Sequence, residues 1–309
     1  MTPSLGAYLS RTAFFAETHS IKGWLASGRL STRFPVLQRE LGNQEQWNQL
    51  LEAPAVDGLL SRHVRYDVTS LEDRRLRSMI RAAVFPIAYC AAVELVRRHG
   101  LRDLIVADTE TSLRRLGNLG HSYTIHCSFV EVLPHATTEE DQFLCAERYA
   151  EFVASQLLQN DAVAKDATPL DGPPADDDAL CDAVFALPGY LGHTAIALGY
   201  LLRYRSEIDA PTWRFAAARL KQMALPSTED ATDVKGLTPQ TDLSERALSD
   251  AVLDLIEHGP REVHTITLAD AMVSVWDALP NRRSDVELLL RRFARVSLTR
   301  TMGGERIGP

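Results

Sequence analysis

The sequence lacks long apolar runs, paired cysteines and an excess of basic charge. No segment has the roughly 18 uninterrupted apolar residues that a membrane-spanning helix needs, and residues 1–7 do not resemble a secretory signal. The four cysteines form no CxxC pair, which is typical of buried thiols in a reducing compartment. With a net charge of -8, the chain has no basic field for nucleic acid or an anionic membrane. We therefore expect a cytoplasmic protein with neither of these as a partner.

Short motifs of common metal and nucleotide sites are also missing. The chain has no HExxH and no Glu-x-x-His pair, so zincin and ferritin-like carboxylate sites are not supported. It has no GxSxG elbow, and residues 117–120 form neither a GxGxxG nor a P-loop. Its chemistry must therefore come from residues that lie far apart in the sequence.

What the chain does have is helical periodicity. Hydrophobic residues make up 45% of the sequence, enough for a substantial core. The pattern predicts an all-α protein. Predicted helices cover 5–26, ended by Gly28, then 35–41, 44–51 and 70–100, the last with Ser70 as N-cap, a kink at Pro86 and an end at Gly100.

A tetrapeptide recurs at an almost constant interval. Leu119-Gly120-His121-Ser122 returns as Leu191-Gly192-His193-Thr194, and a looser copy is Glu262-Val263-His264-Thr265; the intervals are 72 and 71 residues. An apolar stretch follows each His, and an Arg falls 26 or 27 residues beyond it, at Arg148, Arg219 and Arg291. Such a period predicts a repeated helical unit whose equivalent residues occupy equivalent places. For this reason we expect residues 122–133, which fit a strand nearly as well, to be helical.

The repeat organises the chain. We expect an N-terminal helical region over 1–100, three His-bearing helical units over 101–302 that enclose a His-lined pocket, and a disordered tail over 303–309. The N-terminal region and the three-unit region are expected to form one continuous domain. Segments 165–178 and 226–244, rich in Pro, Gly, Asp and Thr, are predicted to be exposed loops between the units.

Three His at equal spacing can converge on one site. His121, His193 and His264 are the candidate catalytic and metal-ligating residues, and His126 can reach the site from a neighbouring position. Neutral imidazole suits Fe(II) and Zn(II), and three His leave a coordination position open. The alternative is that each His is a core residue hydrogen-bonded to a carbonyl or hydroxyl group.

Charged residues near the His units have two interpretations. The recurrent Arg residues either clamp an anionic substrate or tie one helix to the next. Glu131, Glu207, Asp270 and Asp277 are candidates for a fourth ligand or a general base, although acidic residues are more often exposed or paired.

The sequence HTAIALGYLLRY, which begins at His193, is similar to a His-led helix of the questin oxidase-like proteins, and HTITLADA, which begins at His264, looks like a second helix of that kind. The resemblance implies a helical oxidase acting on aromatic polyketides such as anthraquinones, with non-haem iron. It implies that His193 and His264 are ligands, with His121 or His126 as the third. The second His often found four residues into the family's helix is Ala197 here.

Together these observations predict a metal-dependent oxygenase of secondary metabolism. Fe(II) is the expected cofactor and Zn(II) the second choice, with a bulky apolar metabolite such as a polycyclic aromatic compound as substrate. Tyr123, Tyr190, Tyr200 and Trp276, with Phe129, are expected to shape the substrate pocket. Two alternatives stay open: a cofactor-free cyclase or isomerase that uses the His as acids and bases, and a non-catalytic helical scaffold for a protein partner.

Overall fold

The computed structural model describes Leu5, Leu9 and residues 19–42, 65–116, 119–157, 177–224, 237–238, 243–260 and 263–295. Every regular element in these ranges is a helix, which confirms the all-α class. In chain order the α-helices are α1 His19–Arg33, α2 Gln38–Gly42, α3 Asp73–Arg81, α4 Ile87–His99, α5 Leu101–Val106, α6 Thr109–Arg115, α7 His121–Val132, α8 Glu139–Phe152, α9 Asp177–Ala186, α10 His193–Arg203, α11 Ala210–Met223, α12 Glu245–His258, α13 Val263–Ala278 and α14 Arg283–Ala294. None of the described helices has the length and apolar character needed to span a membrane.

Several helices begin where the sequence supplies an N-cap. The side chains of Thr138, Asp209 and Ser244 accept hydrogen bonds from backbone amides in the first turns of α8, α11 and α12. Each cap satisfies an amide that has no partner within its helix, typically worth about 1 kcal/mol. These local signals set where the connecting helices start.

The two closest copies of the repeated tetrapeptide form the same turn. Leu119 and Gly120 have φ of 58° and 83°, and Leu191 and Gly192 have φ of 51° and 79°. These angles lie in the left-handed region of backbone conformation. Two successive residues with such angles reverse the chain sharply, and glycine adopts them without strain. A Cβ on Gly120 would lie 2.9 Å from Cβ of Ala197. The turn therefore places His121 and His193 as the first residues of α7 and α10.

The helices α1, α7, α10 and α13 pack around one interior. Helix α1 contacts α7 and α13, and α10 contacts the same two helices from the other side. Three side-chain pairs join α7 to α10, and in each pair the residues are 72 apart in sequence: His121 with His193, Ser128 with Tyr200, and Glu131 with Arg203. A constant positive offset means that these two helices run parallel and in register.

The same direction holds for α13 and α1. Arg203 on α10 donates to Ser274 on α13, 71 residues on. Ion pairs join α1 to α13 in matching order: Arg29 with Asp270, then Arg33 with Asp277. All four helices therefore begin at one end of the bundle, where the three His lie.

Parallel neighbours require a return path, and this explains the length of the interval. Helices α8 and α9 connect the end of α7 to the start of α10, and α11 and α12 connect α10 to α13. Long crossovers of this kind are how helical bundles place consecutive helices in one direction.

Two apolar clusters flank the bundle. One is built from α9 to α14 together with Leu30 of α1 and Tyr123 of α7. The other joins α3, α4, α5 and α8 to Leu25 of α1 and Phe129 of α7. Because α1 and α7 each contribute to both clusters, their positions in the bundle are held from two sides by apolar burial.

Some predicted helix limits are wrong. Helix α1 does not end at Gly28 but continues to Arg33, because the roughly 1 kcal/mol cost of a mid-helix glycine is outweighed by the burial of Leu30 and the ion pairs of the last two turns. The single kinked helix over 70–100 is two helices, α3 and α4: residues 82–86 leave the helix, and Pro86 is the N-cap of α4. Its predicted end at Gly100 is confirmed.

Other limits agree with the structure or lie outside it. Residues 122–132 are helical, and 35–42 form a 3₁₀ turn followed by α2. The end of the predicted loop 165–178 is wrong, because Asp177 and Asp178 form the first turn of α9, where carboxylates favour the positive end of a helix. Segment 44–51, the remainder of loop 165–178, most of loop 226–244 and the tail 303–309 lie outside the described residues.

Candidate metal centre

The structure brings His121, His193 and His264 together. Each offers one ring nitrogen, and these three atoms lie within 4.8 Å of one another. The Nε2 atoms of His121 and His193 are 3.0 Å apart, so one ring donates a hydrogen bond to the other. The ring centroids of His193 and His264 are 4.4 Å apart. Three imidazoles from three helices therefore meet at the common N-terminal end of the bundle.

The separations are close to those that a metal requires. Tetrahedral bonds of about 2.0–2.1 Å to zinc place two ligand nitrogens roughly 3.3–3.4 Å apart. The distance between the Nε2 atoms of His121 and His193 would need to grow from 3.0 Å by a few tenths of an ångström, and the ring nitrogen of His264 lies within 4.8 Å of both rings' ligand atoms. Among the described residues, no carboxylate or thiol joins the three His in this group.

Burial favours the neutral imidazoles that metals bind. His121 and His193 are buried, while His264 is partly exposed but keeps its Nε2 away from solvent. Burial, followed by the positive charge of Lys22, lowers the pKa of His264 to about 3. A neutral ring keeps a lone pair available for a ligand at ordinary pH.

Lys22 is a fully buried residue on α1 at the level of the His group. It lies seven residues before Arg29, and His264 lies six residues before Asp270, which is the partner of Arg29. With α1 and α13 parallel, this register brings Lys22 level with His264, in agreement with its effect on the pKa of that ring. The sequence analysis did not select Lys22, although a lone Lys in the apolar segment 21–26 was a usable signal.

Thr124 lies one helical turn beyond His121 on α7. Thr124 is 2% exposed, and its Oγ1 is a buried atom that has no hydrogen-bond partner among the described residues. Residues three apart on a helix are neighbours on its surface, so this hydroxyl lies beside the His group. A buried polar group of this kind is satisfied in most proteins by a water molecule, an ion or a ligand.

A second polar layer crosses the bundle about two to three turns beyond the His. Arg29 and Arg203 each pair with both Glu131 and Asp270. Burial on its own would raise the pKa of Asp270, but Arg203 and Arg29 outweigh it and hold that pKa below its usual value. A cleft of about 460 Å³ opens beside this layer, between Arg29, Arg33 and Leu202.

These contacts show what the acidic candidates do. Glu131 and Asp270 hold the two guanidinium groups and are absent from the His group. Asp277 pairs with Arg33 near the surface, and Glu207 is exposed. Sequence reasoning did not identify Arg29 and Arg203 as their partners, because 102 or more residues separate Arg29 from Glu131 and from Asp270.

His126 lies away from the three other His. Its Nε2 is 3.0 Å from Oγ1 of Thr109, and its Nδ1 is 3.4 Å from the hydroxyl of Tyr149, which donates to Asp108. Burial lowers the pKa of His126 to about 4. The structure therefore places this residue in a hydrogen-bonded cluster between α6, α7 and α8, and the metal-ligand role predicted for it has no support from its position.

Four of the five aromatic residues predicted to shape the substrate pocket are core residues. Tyr123, Tyr200 and Trp276 are almost fully buried in one apolar cluster, and Phe129 lies in the other. Trp276 is 12 residues beyond His264, about 18 Å along α13, so it cannot line a small pocket at the three His. The side chain of Tyr190 lies outside the described part of the chain.

The three recurrent Arg residues bind other groups of the protein. Arg148 pairs with Glu151 on its own helix, and Arg291 pairs with Glu287 in the same way. Arg219 donates to the backbone carbonyl of Arg115 and so ties α11 to the end of α6. The contact of Arg219 matches the interpretation in which these Arg residues tie one helix to the next, whereas the ion pairs described for Arg148 and Arg291 lie within a single helix.

Comparison with models of protein families, with curated protein sequences and with solved structures finds no match to this chain. The proposals below therefore depend on the geometry of the site and on the resemblance at the two His-led helices.

Proposed function

We propose that His121, His193 and His264 bind one divalent transition-metal ion, and that the protein is a metal-dependent oxygenase that uses Fe(II) to oxidise a bulky apolar metabolite. The observation that carries the proposal is the convergence of three imidazole nitrogens within 4.8 Å. A set of core histidines with separate hydrogen-bond partners has no need to meet in this way. The resemblance of HTAIALGYLLRY and HTITLADA to helices of the questin oxidase-like proteins supports iron and an aromatic substrate.

The roles of the residues follow from their positions. His121, His193 and His264 would hold the Fe(II) ion as neutral ligands, and the ion would supply the chemistry that activates dioxygen for reaction with the substrate. The chain itself supplies a rigid ligand set, because each His lies in the first turn of a packed helix and the second polar layer fixes the register of those helices. Burial of His121 and His193 limits the access of bulk water.

A specific feature of the site favours Zn(II) as a second candidate. The His group contains no carboxylate among the described residues, whereas many non-haem Fe(II) oxygenases use two His and one carboxylate. Three His and a bound water are a known zinc arrangement that generates a nucleophilic hydroxide near pH 7. The second candidate function is therefore a zinc-dependent hydrolase or lyase.

The test is metal analysis of protein purified without a His tag, after loading with Fe(II) under anaerobic conditions and, separately, with Zn(II). We expect about one ion per chain, as for other sites with three His ligands. In His193→Ala we expect almost complete loss of bound metal, while circular dichroism shows that the fold is kept. His126→Ala is the matched control: it removes another buried His and should lower the melting temperature while leaving the metal content unchanged.

The outcomes separate the functions. Dioxygen uptake by the Fe(II)-loaded protein in the presence of polycyclic aromatic compounds supports the oxygenase, and tight zinc binding without dioxygen uptake supports the second candidate. If wild type binds no metal and His193→Ala only lowers stability by about 1–3 kcal/mol, the metal centre is refuted. That result would leave the cofactor-free acid–base enzyme and the helical scaffold.

A further inference from the structure

The three His lie where a helix is least rigid. His121 and His193 are the first residues of α7 and α10, and His264 is the second residue of α13. The first amides of a helix have no partner within it, and helix ends open more readily than helix centres. A set of metal ligands must keep its geometry to within about 0.5 Å. Contacts from outside each helix therefore have to hold these first turns in place.

A residue with a hydroxyl group follows each His. Ser122, Thr194 and Thr265 are all buried. Successive side chains of an α-helix point about 100° apart, so the hydroxyl residue does not face in the direction of the His before it. In the second and third units the structure shows what the hydroxyl residue contacts instead: the chain that leads into its own helix.

In the third unit this contact is made by the side chain. Oγ1 of Thr265 donates a hydrogen bond to the backbone carbonyl of Pro260, five residues earlier, and both residues are buried. Helix α12 ends at His258 and α13 begins at Val263. The bond therefore ties the first turn of α13, which contains His264, to the connection from α12.

In the second unit an equivalent contact is made by the backbone. The amides of Thr194 and Ala195 donate to the carbonyl of Pro188, at 3.0 and 3.3 Å. The next residue, Gly189, has a φ of 78°, and a Cβ on it would lie 2.5 Å from Oγ1 of Thr194. The chain thus passes directly against that hydroxyl, at a place where only glycine fits. In both units a proline carbonyl five or six residues upstream holds the residue after the His.

We infer that Thr194 and Thr265 are positioning residues for the metal centre. Each fixes, through its contact with the chain before the helix, the rotation of the first helical turn and hence the direction of the preceding His. The inference rests on the proposed metal site and adds the means by which the chain keeps its ligands converged. Nε2 of a His lies roughly 8 Å from the axis of its helix, so a rotation of about 10° moves it by roughly 1.4 Å. That displacement exceeds what a set of metal ligands tolerates.

The test measures Co(II) affinity, by competition with a chelator in untagged protein, together with the Co(II) absorption spectrum and the melting temperature. Thr265→Val keeps the shape of the side chain but removes the donor to Pro260. We expect it to bind Co(II) about tenfold more weakly, as for other residues that orient metal ligands, and to change the spectrum. Thr265→Ser restores the hydroxyl and should return the affinity to within about twofold of wild type.

Thr267→Val is the matched control for the third unit. It makes the same change on the same helix, at another buried residue, but the hydroxyl that it removes donates to a carbonyl within α13. Because this bond does not hold the chain before the helix, we expect Thr267→Val to leave the Co(II) affinity and spectrum as in wild type.

Two glycine variants test the second unit and keep the test decisive if Thr265→Val does not fold. Gly189→Ala introduces the Cβ that would meet Thr194. Gly100→Ala adds a Cβ at a φ of 87°, with no atom of the described residues within 4 Å of it. Both positions are left-handed, so both variants should have a lower melting temperature. We expect only Gly189→Ala to weaken Co(II) binding, by severalfold.

The outcomes separate a positioning role from a purely structural one. A lower melting temperature of Thr265→Val with the Co(II) affinity of wild type overturns the inference, as does an equal loss of affinity in Thr267→Val or a failure of Thr265→Ser to restore it. Where Thr265→Val is unfolded, equal Co(II) affinities of Gly189→Ala and Gly100→Ala overturn it. If wild type binds no stoichiometric Co(II), the proposed metal centre is refuted and this inference with it.

Discussion

The ion pairs between α1 and α13 allow a sharp prediction about stability. Asp270 accepts hydrogen bonds from Nε and Nη2 of Arg29, at 2.9 and 2.7 Å, and one from Nη2 of Arg203, at 2.7 Å. Asp270→Asn keeps the shape of the side chain but removes its charge and turns an NH₂ group toward a guanidinium. Its counterpart Asp277→Asn makes the same change at a pair in which Arg33 also donates two hydrogen bonds.

The magnitudes differ because burial differs. The side chain of Asp270 is 3% exposed and that of Asp277 is 51% exposed. Breaking a buried pair leaves an uncompensated charge and costs about 3–5 kcal/mol, whereas an exposed pair contributes about 1 kcal/mol or less. Arg29 and Arg203 both keep Glu131 as a partner, so we expect the lower end, about 3 kcal/mol, for Asp270→Asn. At roughly 2 °C per kcal/mol, the melting temperature falls by roughly 6 °C.

Chemical denaturation at pH 7, followed by circular dichroism, gives the free energy of unfolding of both variants. The pKa of Asp270 is lowered in the folded protein, so its stabilising effect is present above the ordinary pKa of an aspartate and is lost as the pH falls through the folded value. The difference between wild type and Asp270→Asn should therefore shrink in acid. Equal losses in the two variants at pH 7, or a difference that grows in acid, would refute the assignment of the buried layer as the element that holds α1 against α13.

Two further predictions concern other parts of the bundle. Gly199→Ala should lower the free energy of unfolding by about 1–3 kcal/mol and weaken metal binding. The added Cβ would lie 2.6 Å from Cβ of Ala271 and force α10 away from α13. Metal affinity, measured by competition with a chelator, that is unchanged in this variant contradicts the prediction. Burial lowers the pKa of His126 from 6.5 in the unfolded chain to about 4 in the folded protein. Between these pH values the unfolded chain binds one proton more than the folded protein, so the free energy of unfolding falls as the pH falls from 6.5 to 4. Wild type should lose about 3 kcal/mol more than His126→Gln over that window, and parallel pH profiles of the two proteins contradict the prediction.

Much of the fold could be predicted from short-range patterns. Helical periodicity predicts α10 and α13, and Gly100 ends α4 as expected. The repeat extends the helical prediction to α7, whose own sequence fits a strand nearly as well. The end of α1, which was predicted wrongly, depends on tertiary contacts. Helix α1 passes Gly28 because its last two turns bind α13 through Arg29 and Arg33, and no local signal reveals those partners.

The candidate site divides in the same way. The interval between His121, His193 and His264 predicted that the three residues meet, and they do. The Leu-Gly turn before the first two His is encoded locally, since a left-handed glycine is the residue that such a turn favours. His126, only five residues from His121, was placed near the site by sequence distance, but it lies on another face of α7 and bonds to Thr109.

The sequence by itself determined that this protein is helical and that three apolar helices each begin with a His at an almost constant spacing. These properties follow from period, capping and chain length, which act within one segment at a time. Only the tertiary structure decided that α1 is the fourth wall of the bundle, that Lys22 lies level with His264, and that Glu131 and Asp270 bind Arg29 and Arg203 away from the His. Those facts depend on contacts between buried charged residues that are 67 to 241 positions apart in the sequence. Such residues become buried and paired only when all four helices have packed.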